Sequence, residues 1–417
     1  MNVVIINKSD SKGGAAVVSL RLMNALRELG VEASMLVCEK QTASPHVHLA
    51  APKWRIMVPF LAERLRIFLS RGVNLKNLFK FDTASDGLPL HHHPLVKGAD
   101  VICLNWVNQG MLSLKGLRKL QALGKPIVWT MHDMWCFTGA CHHAGACRRF
   151  KEECGCCPLL SNGGSPSDLT ARTFKRKRES YERIHFVAVS NWLAGLARES
   201  ALLGKMPLTV IPNAFPVEWH ERPTRNNRNN EEFRIVFGAA RLDDPVKGHP
   251  ILVEATRILA EQYPDVASRL HLITFGNIKT AGALDSIALR HTHLGTVRGE
   301  AAVREIYLGA DAVVSTSLYE TLPGTLVEGQ AYGCIPITFG RGGQADIVEH
   351  LSTGYIADYS DHLHLAAANI VQGILWAIEQ DASEMRRHMF ESVKSHFESA
   401  AIAQSYLELF ESLMSEE

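Results

Sequence analysis

The chain carries almost no net charge, since 44 Lys and Arg face 43 Asp and Glu and leave +1 over 417 residues. Without a broad cationic field nothing holds a polyphosphate backbone, and a nucleic-acid partner is excluded. No apolar run reaches the roughly eighteen residues of a membrane-spanning helix. The opening MNVVIINKSDSKGG passes into a strand-like run with no charged region ahead of a long apolar segment. No secretory leader is therefore expected, and the expected location is the cytoplasm. There the nine cysteines stay as thiols unless a metal holds them. Two signatures are missing as well. No Gly-x-Gly-x-x-Gly follows the first strand, which argues against a nicotinamide enzyme. No Asp-x-Asp flanked by strand-like residues offers a divalent ion to a diphosphate.

What is present is a regular alternation of apolar runs and helical periods. In the first half, residues 2–6, 33–38, 100–104, 127–131, 185–190 and 208–211 read as buried strands, with helices such as 15–29 and 111–123 between them. In the second half, 233–238, 270–275, 312–315 and 335–338 alternate with helices near 250–262, 300–309, 325–333 and 344–350. This is the pattern of doubly wound parallel α/β sheets, and the length suits two domains of about 200 residues each. The polar, Pro-containing stretch 216–232 reads as the linker between a domain over 1–215 and a domain over 233–399. Residues 400–417 place Ile402, Tyr406, Leu409, Phe410 and Leu413 at the spacing of an amphipathic helix.

Glu320 and Glu328 stand in YETLPGTLVEGQAYGCIPITFGRGG (319–343). Pro323 and Gly324 open a helix-like stretch, so Glu320 falls in a loop at a helix N-terminus and Glu328 about two turns further in. The unbonded amides and positive dipole end there, over Pro323, Gly324 and Thr325, favour a phosphate or an anionic transition state. Two carboxylates beside such a site accept hydrogen bonds from vicinal hydroxyls, although isolated glutamates at this spacing also occur as a solvated helix face. Arg241 and Lys247 follow strand 233–238 at its carboxyl end, where such sheets bind ligands, and their charges suit a leaving diphosphate. Gly13 and Gly14 occupy the first strand-to-helix turn, which fits either a phosphate approaching backbone amides or a tight turn that needs small residues. His132 ends the run IVWTM (127–131). The neighbouring Asp133 suits either the local turn or an acceptor contact. The consecutive His91, His92 and His93 point to opposite faces and cannot converge on one ion.

In order along the chain, Gly13-Gly14-Ala15, His132-Asp133, Val189-Ser190-Asn191-Trp192, Ile211-Pro212-Asn213, Arg241 with Lys247-Gly248, the glutamate pair, Gly333-x-x-Pro336, Gly342-Gly343 and Gly354 resemble family 4 of the retaining, nucleotide-sugar-dependent glycosyltransferases. The resemblance spans nearly the whole chain. The run HDMWCFTGACHHAGACRRFKEECGCCP (132–158) is similar to the colanic-acid-type exopolysaccharide transferases. It implies the GT-B fold, two Rossmann-like domains facing a central cleft, with the final helix crossing back onto the first domain. It implies a hexose passed with retention from a nucleoside-diphosphate sugar to a glycan or lipid-linked oligosaccharide, with no cofactor for catalysis. His132, Arg241, Lys247 and Glu320 are the implied catalytic residues. Gly13, Gly14, Arg241, Lys247, Pro323, Gly324, Thr325 and Glu328 are the implied donor-binding ones. The chain departs from the pattern at Leu104-Asn105-Trp106, where many relatives carry a histidine before the tryptophan, and at Leu322-Pro323, which replaces a commoner aromatic-Gly pair. A phosphorylase or sugar-nucleotide epimerase of the same fold, or a non-catalytic polysaccharide-binding scaffold, would share part of this constellation.

Two features lie outside transfer chemistry. Cys141, Cys147, Cys154 and Cys157 are spaced C-x5-C-x6-C-x2-C inside one short excursion, which reads as a structural zinc site, with His142 or His143 as substitute ligands, or as a set of small buried thiols. Residues 53–81 hold seven basic residues, one acidic residue and many large apolar ones. Such a segment rests on an anionic membrane or packs on its own domain as an ordinary amphipathic helix.

Overall fold

In the computed structural model, which describes residues 1–70, 78–221 and 232–415, the apolar runs become parallel strands buried on both faces. The first unit is Met1–Ala214 together with Ser399–Glu417. Its elements are β1 (Asn2–Ser9), α1 (Gly14–Glu28), β2 (Glu32–Glu39), β3 (Val47–Leu49), α2 (Lys53–Leu69), α3 (Pro94–Gly98), β4 (Val101–Leu104), α4 (Leu114–Gln121), β5 (Ile127–Met131), α5 (Leu169–Arg178), β6 (His185–Ala188), α6 (Asn191–Arg198) and β7 (Leu208–Val210). The strands form one all-parallel sheet in the order β3-β2-β1-β4-β5-β6-β7. Connections leave β1 in one direction and return to β4 on its other side, so the sheet has its switch point between β1 and β4.

The second unit, Phe215–Glu398, repeats the plan. It contains β8 (Phe233–Arg241), α7 (His249–Gln262), α8 (Pro264–Ala267), β9 (Leu270–Asn277), β10 (Arg290–His293), α9 (Glu300–Leu308), β11 (Ala312–Ser315), α10 (Gly324–Ala331), β12 (Ile335–Phe339), β13 (Tyr355–Ala357), α11 (Leu363–Ile378) and α12 (Ala382–Phe397). The sheet order is β10-β9-β8-β11-β12-β13, again all parallel, with its switch point between β8 and β11. Both chains of strand and helix alternate as the periodicity predicts. The differences are local and have causes. Residues 185–190 end as a strand at Ala188 because the Ser190 side chain accepts from Leu193 N and starts α6 instead. The helix expected over 344–350 is only a short 3-10 turn, Gly343–Asp346. Polar edge strand β10 (RHTH) shows no apolar run by which to find it.

The last helix, α13 (Ser399–Ser415), belongs to the first unit. It buries Ile402, Ala403, Tyr406 and Phe410 in the same core as Leu22, Met23 and Leu26 of α1, and the Tyr406 hydroxyl lies 2.8 Å from Thr130 Oγ1 of β5. Of the stretch 216–232, residues 222–231 lie outside the described residues. The described part packs on the second unit: Trp219 meets Phe390 edge-on at 5.1 Å, and His220 lies 5.7 Å from the Tyr332 ring.

Candidate functional site

In the second unit, the loops after β8, β11 and β12 meet at the switch point. β8 runs two residues beyond a bulge to end at Arg241, whose Nε donates to Asp243 Oδ1 at 2.9 Å. Asp243 in turn accepts from Thr280 N at 2.8 Å, Thr280 Oγ1 at 2.7 Å and Lys279 N at 3.1 Å after β9. The Arg241 hydrogen bond holds the Asp243 carboxyl far below the usual carboxylate range. One N–H of the Arg241 fork is thus committed to orientation, and the guanidinium has four more.

Lys247 closes a 3-10 turn, Pro245–Lys247, and Gly248 follows at φ 65°. Only glycine fits there, because a Cβ would stand 2.0 Å from Thr316 O. Thr316 Oγ1 donates to Lys247 O at 2.9 Å, and Leu318 N donates to Val246 O at 2.8 Å, so the β8 loop is stitched to the β11 loop. This brings Lys247 Nζ into an ion pair with Glu320 Oε1. Glu320 is fixed from the other side: Gly343 N donates to Glu320 O at 2.8 Å, and Gly342, at φ 132°, approaches so closely that a Cβ would lie 2.3 Å from that oxygen. Pro323 then caps α10, and Gly324 and Thr325 are its first residues. Glu328, half-buried on α10, lies close enough to Tyr307 that its charge adds to the burial that raises the Tyr307 phenol. The structure therefore gathers Arg241, Lys247, Glu320, Pro323, Gly324 and Thr325 around the carboxyl ends of β8, β11 and β12.

In the first unit the switch point carries Gly13 and Gly14 after β1, and both have open space where a Cβ would stand. Gly13, at φ 87°, is the N-cap of α1, so the turn also demands its glycine. Across the switch point Asn7 Oδ1 accepts from Trp106 N at 2.8 Å, and Lys8 N donates to Trp106 O at 2.8 Å. His132 Nε2 lies 2.8 Å from Asn105 Oδ1. An amide oxygen only accepts, so this ring nitrogen carries the proton. Burial lowers His132 to about 4, and it is neutral at physiological pH. Asn105 thus sets the His132 tautomer.

Beside His132 lies a buried charge network that local sequence did not disclose. Asp133 Oδ2 accepts from Trp106 Nε1 at 2.9 Å and pairs with His142 Nδ1 at 2.7 Å, while Asp133 Oδ1 accepts from Trp135 N at 2.8 Å. The other His142 nitrogen, Nε2, lies 2.7 Å from Asp82 Oδ2, and Asp82 also pairs with Arg64 of α2. Burial disfavours charge on His142, but the Asp133 and Asp82 carboxylates outweigh it and push the imidazole up to about 10. Burial alone would raise the Asp133 carboxyl, and the His142 imidazolium reverses this, holding it well below the usual range. The sequence alone suggests for His142 only the role of a substitute metal ligand. Its partner Asp82 is 60 residues away, and no local pattern links them.

Among the described residues no three His, Cys, Asp or Glu side chains are gathered as metal ligands. Cys141, Cys147, Cys154 and Cys157 nevertheless neighbour one another closely enough for charge on one thiol to act on the next, Cys141 on Cys154 and Cys157, and Cys147 on Cys154 and Cys157, and the structural zinc that their spacing suggests, with His142 or His143 as substitute ligand, is a proposal for metal analysis to test. The excursion is also braced by hydrogen bonds. Fully buried Lys177 donates to Thr138 O at 3.0 Å and to Trp135 O, Asp168 accepts from Cys157 N at 2.9 Å while capping α5, and Gly139 N donates to Cys154 Sγ at 3.1 Å. Burial pushes the thiols of Cys141 and Cys154 up to about 12 and about 11.

Two family models divide the chain: "Glycosyltransferase Family 4" matches residues 12–219 and "Glycosyl transferases group 1" matches 221–396. The chain is 26% identical over 166 residues to a putative colanic acid biosynthesis glycosyl transferase, WcaC, of Escherichia coli K12, a match covering 39% of this chain and 40% of that protein. In fold it is similar to sucrose-phosphate synthase of Thermosynechococcus elongatus (TM-score 0.67, 16% identity, 100% of each chain). It is likewise similar to Anabaena Alr3699/HepE, solved in complex with UDP (TM-score 0.60, 16% identity, 99% of this chain and 100% of that one). Two parallel-sheet α/β units matched by these models from residue 12 to residue 396, with structural neighbours of GT-B architecture, establish that the chain belongs to the family 4 glycosyltransferases.

Proposed function

We propose that this protein is a retaining glycosyltransferase that moves a hexose from a nucleoside-diphosphate sugar to a glycan or lipid-linked oligosaccharide in the building of cell-surface polysaccharide. The observation that carries the reading is the Lys247–Glu320 ion pair, held at the switch point of the second sheet beside the first amides of α10. In the resting protein the two side chains neutralise each other. An arriving diphosphate competes for the ammonium, and Glu320 is released to accept from hexose hydroxyls. As the anomeric C–O bond breaks, the leaving diphosphate places its charge on Lys247, Arg241 and the amides of Gly324 and Thr325. Its departing oxygen receives the acceptor's hydroxyl proton on the same face, which retains the configuration. Neutral His132 cannot repel positive charge developing at the anomeric carbon. Glu328, further along α10, is assigned to the ribose. Gly13 and Gly14, with open space where a Cβ would stand, are assigned to the transferred sugar and its phosphates.

Support for a uridine donor comes from HepE, solved with UDP and glucose and with UDP-glucose, and support for a polysaccharide role from WcaC. The test is a thermal-shift panel of UDP-, GDP-, ADP- and CMP-sugars, followed by transfer with the stabilising donor and assignment of the product's anomeric configuration. A donor at about 100 times its dissociation constant adds about 2.7 kcal/mol to folding. No stabilisation by any donor favours the scaffold reading, and turnover without acceptor favours the phosphorylase or epimerase.

A further inference from the structure

Helix α2 is amphipathic in the inverted sense. Its buried face carries charge: Glu63 is 0% exposed, accepting from Thr83 N at 2.8 Å and Ala84 N at 2.7 Å, and Arg64 is 6% exposed, donating to Leu78 O at 2.9 Å and Phe81 O at 3.1 Å. Its outer face is apolar. Trp54, Val58, Leu61, Leu65, Phe68 and Leu69 are each 48–69% exposed, and all but the last follow a helical stripe of three- and four-residue steps. Phe79, at 59% exposure, lies beyond the helix with the Arg64 guanidinium 5.6 Å from its ring. An exposed apolar stripe of this kind marks an interaction site.

The charges around the stripe identify what it meets. On α2 the only acidic residue is Glu63, which faces inward, whereas Lys53, Arg55 and Arg66 are exposed, as is Lys80 next to Phe79. Arg66 reaches Asp86 at 3.0 Å. An apolar stripe on a protein partner would be met by an apolar groove, with rim charges of either sign. A stripe containing tryptophan and phenylalanine, bordered by exposed cations alone on its helix, matches the layered chemistry of an anionic bilayer, with acyl chains below and phosphate headgroups at the rim.

We propose that α2 is a membrane-docking helix that seats the first unit on an anionic lipid surface, Trp54 to Leu69 entering the headgroup boundary and the exposed lysine and arginine side chains pairing with lipid phosphates. The inward face ties this helix to the candidate site: Gly110, at φ 75°, would place a Cβ 2.5 Å from Phe60 N, and Lys8 Nζ spans 5.6 Å to the Phe60 ring while donating to Gln109 O. The loop that follows β4 and bears Asn105 and Trp106 is therefore packed directly on the docked helix. A lipid-linked acceptor held in the same leaflet would lie next to it.

The inference does not depend on glycosyl transfer, because its test contains no sugar. The full chain is sedimented with vesicles of phosphatidylcholine alone and of phosphatidylcholine mixed with phosphatidylglycerol, at low and high salt. Binding to the mixed vesicles is expected, weakened by salt, with a blue shift of the Trp54 contribution obtained against Trp54→Phe. Leu61→Ser/Leu65→Ser should lower the partition coefficient about tenfold or more, and Lys53→Glu/Arg55→Glu about fivefold or more per charge. All four positions are exposed, and matched thermal midpoints verify that each variant folds. Absence of sedimentation with the mixed vesicles, or equal sedimentation of wild type and both variants, overturns the proposal. So does a concentration-dependent dimer that Leu61→Ser/Leu65→Ser dissociates, since a second copy would then be what covers the stripe.

Discussion

The two sheets present charge at their carboxyl ends in opposite ways. In the second unit, Arg241–Asp243 and Lys247–Glu320 are paired at the surface of their loops, with Arg241, Lys247 and Glu320 side chains 36%, 27% and 19% exposed. Pairs in contact with water contribute little to stability and exchange readily for a ligand. In the first unit, charges run inward from Asp133 through His142 and Asp82 to Arg64, and the Asp82 side chain is 0% exposed. Such a chain is costly to interrupt, because removing one member takes a buried countercharge from each of its neighbours. The contrast separates two tasks. Exposed pairs hold charge ready for an incoming diphosphate, whereas the buried chain fixes the frame around His132 and Trp106.

The comparison is broken most severely at Asp82. Asp82→Ala leaves Arg64 with Glu63 and His142 with Asp133 but removes the buried carboxylate that joins the two cations, and should cost about 3 kcal/mol, read as a lowered denaturation midpoint. A loss no larger than that of an exposed-pair variant would show that the network is not a brace. In the second unit, Lys247→Ala and Arg241→Ala should leave the midpoint nearly unchanged and lower kcat with donor by about ten- to a hundredfold or more, the value of a lost charge-assisted contact of roughly 1.5–3 kcal/mol. Wild-type kcat in both variants would remove these residues from the leaving-group site.

The pH dependence sharpens the same contrast. His142 is raised in the fold to about 10, so its contribution is complete below the unfolded value of about 6.5 and is lost as pH rises through the folded value. Asp133 is depressed and acts oppositely, its contribution being lost only as pH falls into the acid range. Between about pH 6.5 and 10 the wild type should therefore lose stability relative to His142→Gln, with parallel curves as the contrary result. A smaller effect separates the two glutamates. Glu328→Gln should weaken both free nucleoside diphosphate and sugar nucleotide, each by a few-fold to about tenfold, while Glu320→Gln spares the former. Calorimetric titration of both ligands into both variants reads this directly, and equal losses for the free nucleotide would refute the assignment. The smallest effect is expected at the cysteine excursion. With Lys177, Asp168 and Gly139 also bracing the excursion, removal of a zinc held by Cys141, Cys147, Cys154 and Cys157 should loosen that segment and lower the thermal midpoint only slightly, and less than about a tenth of an equivalent of zinc in fully active protein purified without added metal would eliminate the site.

Much of the architecture is legible in the chain because parallel strands covered on both faces must be apolar throughout. Runs such as VVII at 3–6 and AVV at 312–314 admit few other structures. Loop glycines at 248 and 342 stand out in the sequence only by family resemblance, and the structure supplies the reason, each allowing a backbone approach that a Cβ would block. The Lys247–Glu320 pair was foreshadowed only as two residues with roles at one ligand. Their direct contact across 73 positions depends on how the β8 and β11 loops are stitched together.

What the sequence determined by itself is therefore whatever periodicity and local conformation enforce: the alternation of strand and helix, the helix over the last segment, the turn at Gly13, and the caps that end strands early. The tertiary structure decided what depends on partners distant in sequence. It placed α13 against α1, joined His142 to Asp82, and turned the charged face of α2 inward so that its tryptophan and leucines face out. Composition gave that helix both apolar and basic residues. Only burial of Glu63 and Arg64 against residues 78–84 fixed which face remains for a partner, because a helix's rotation about its own axis is set by the contacts that satisfy its buried charges.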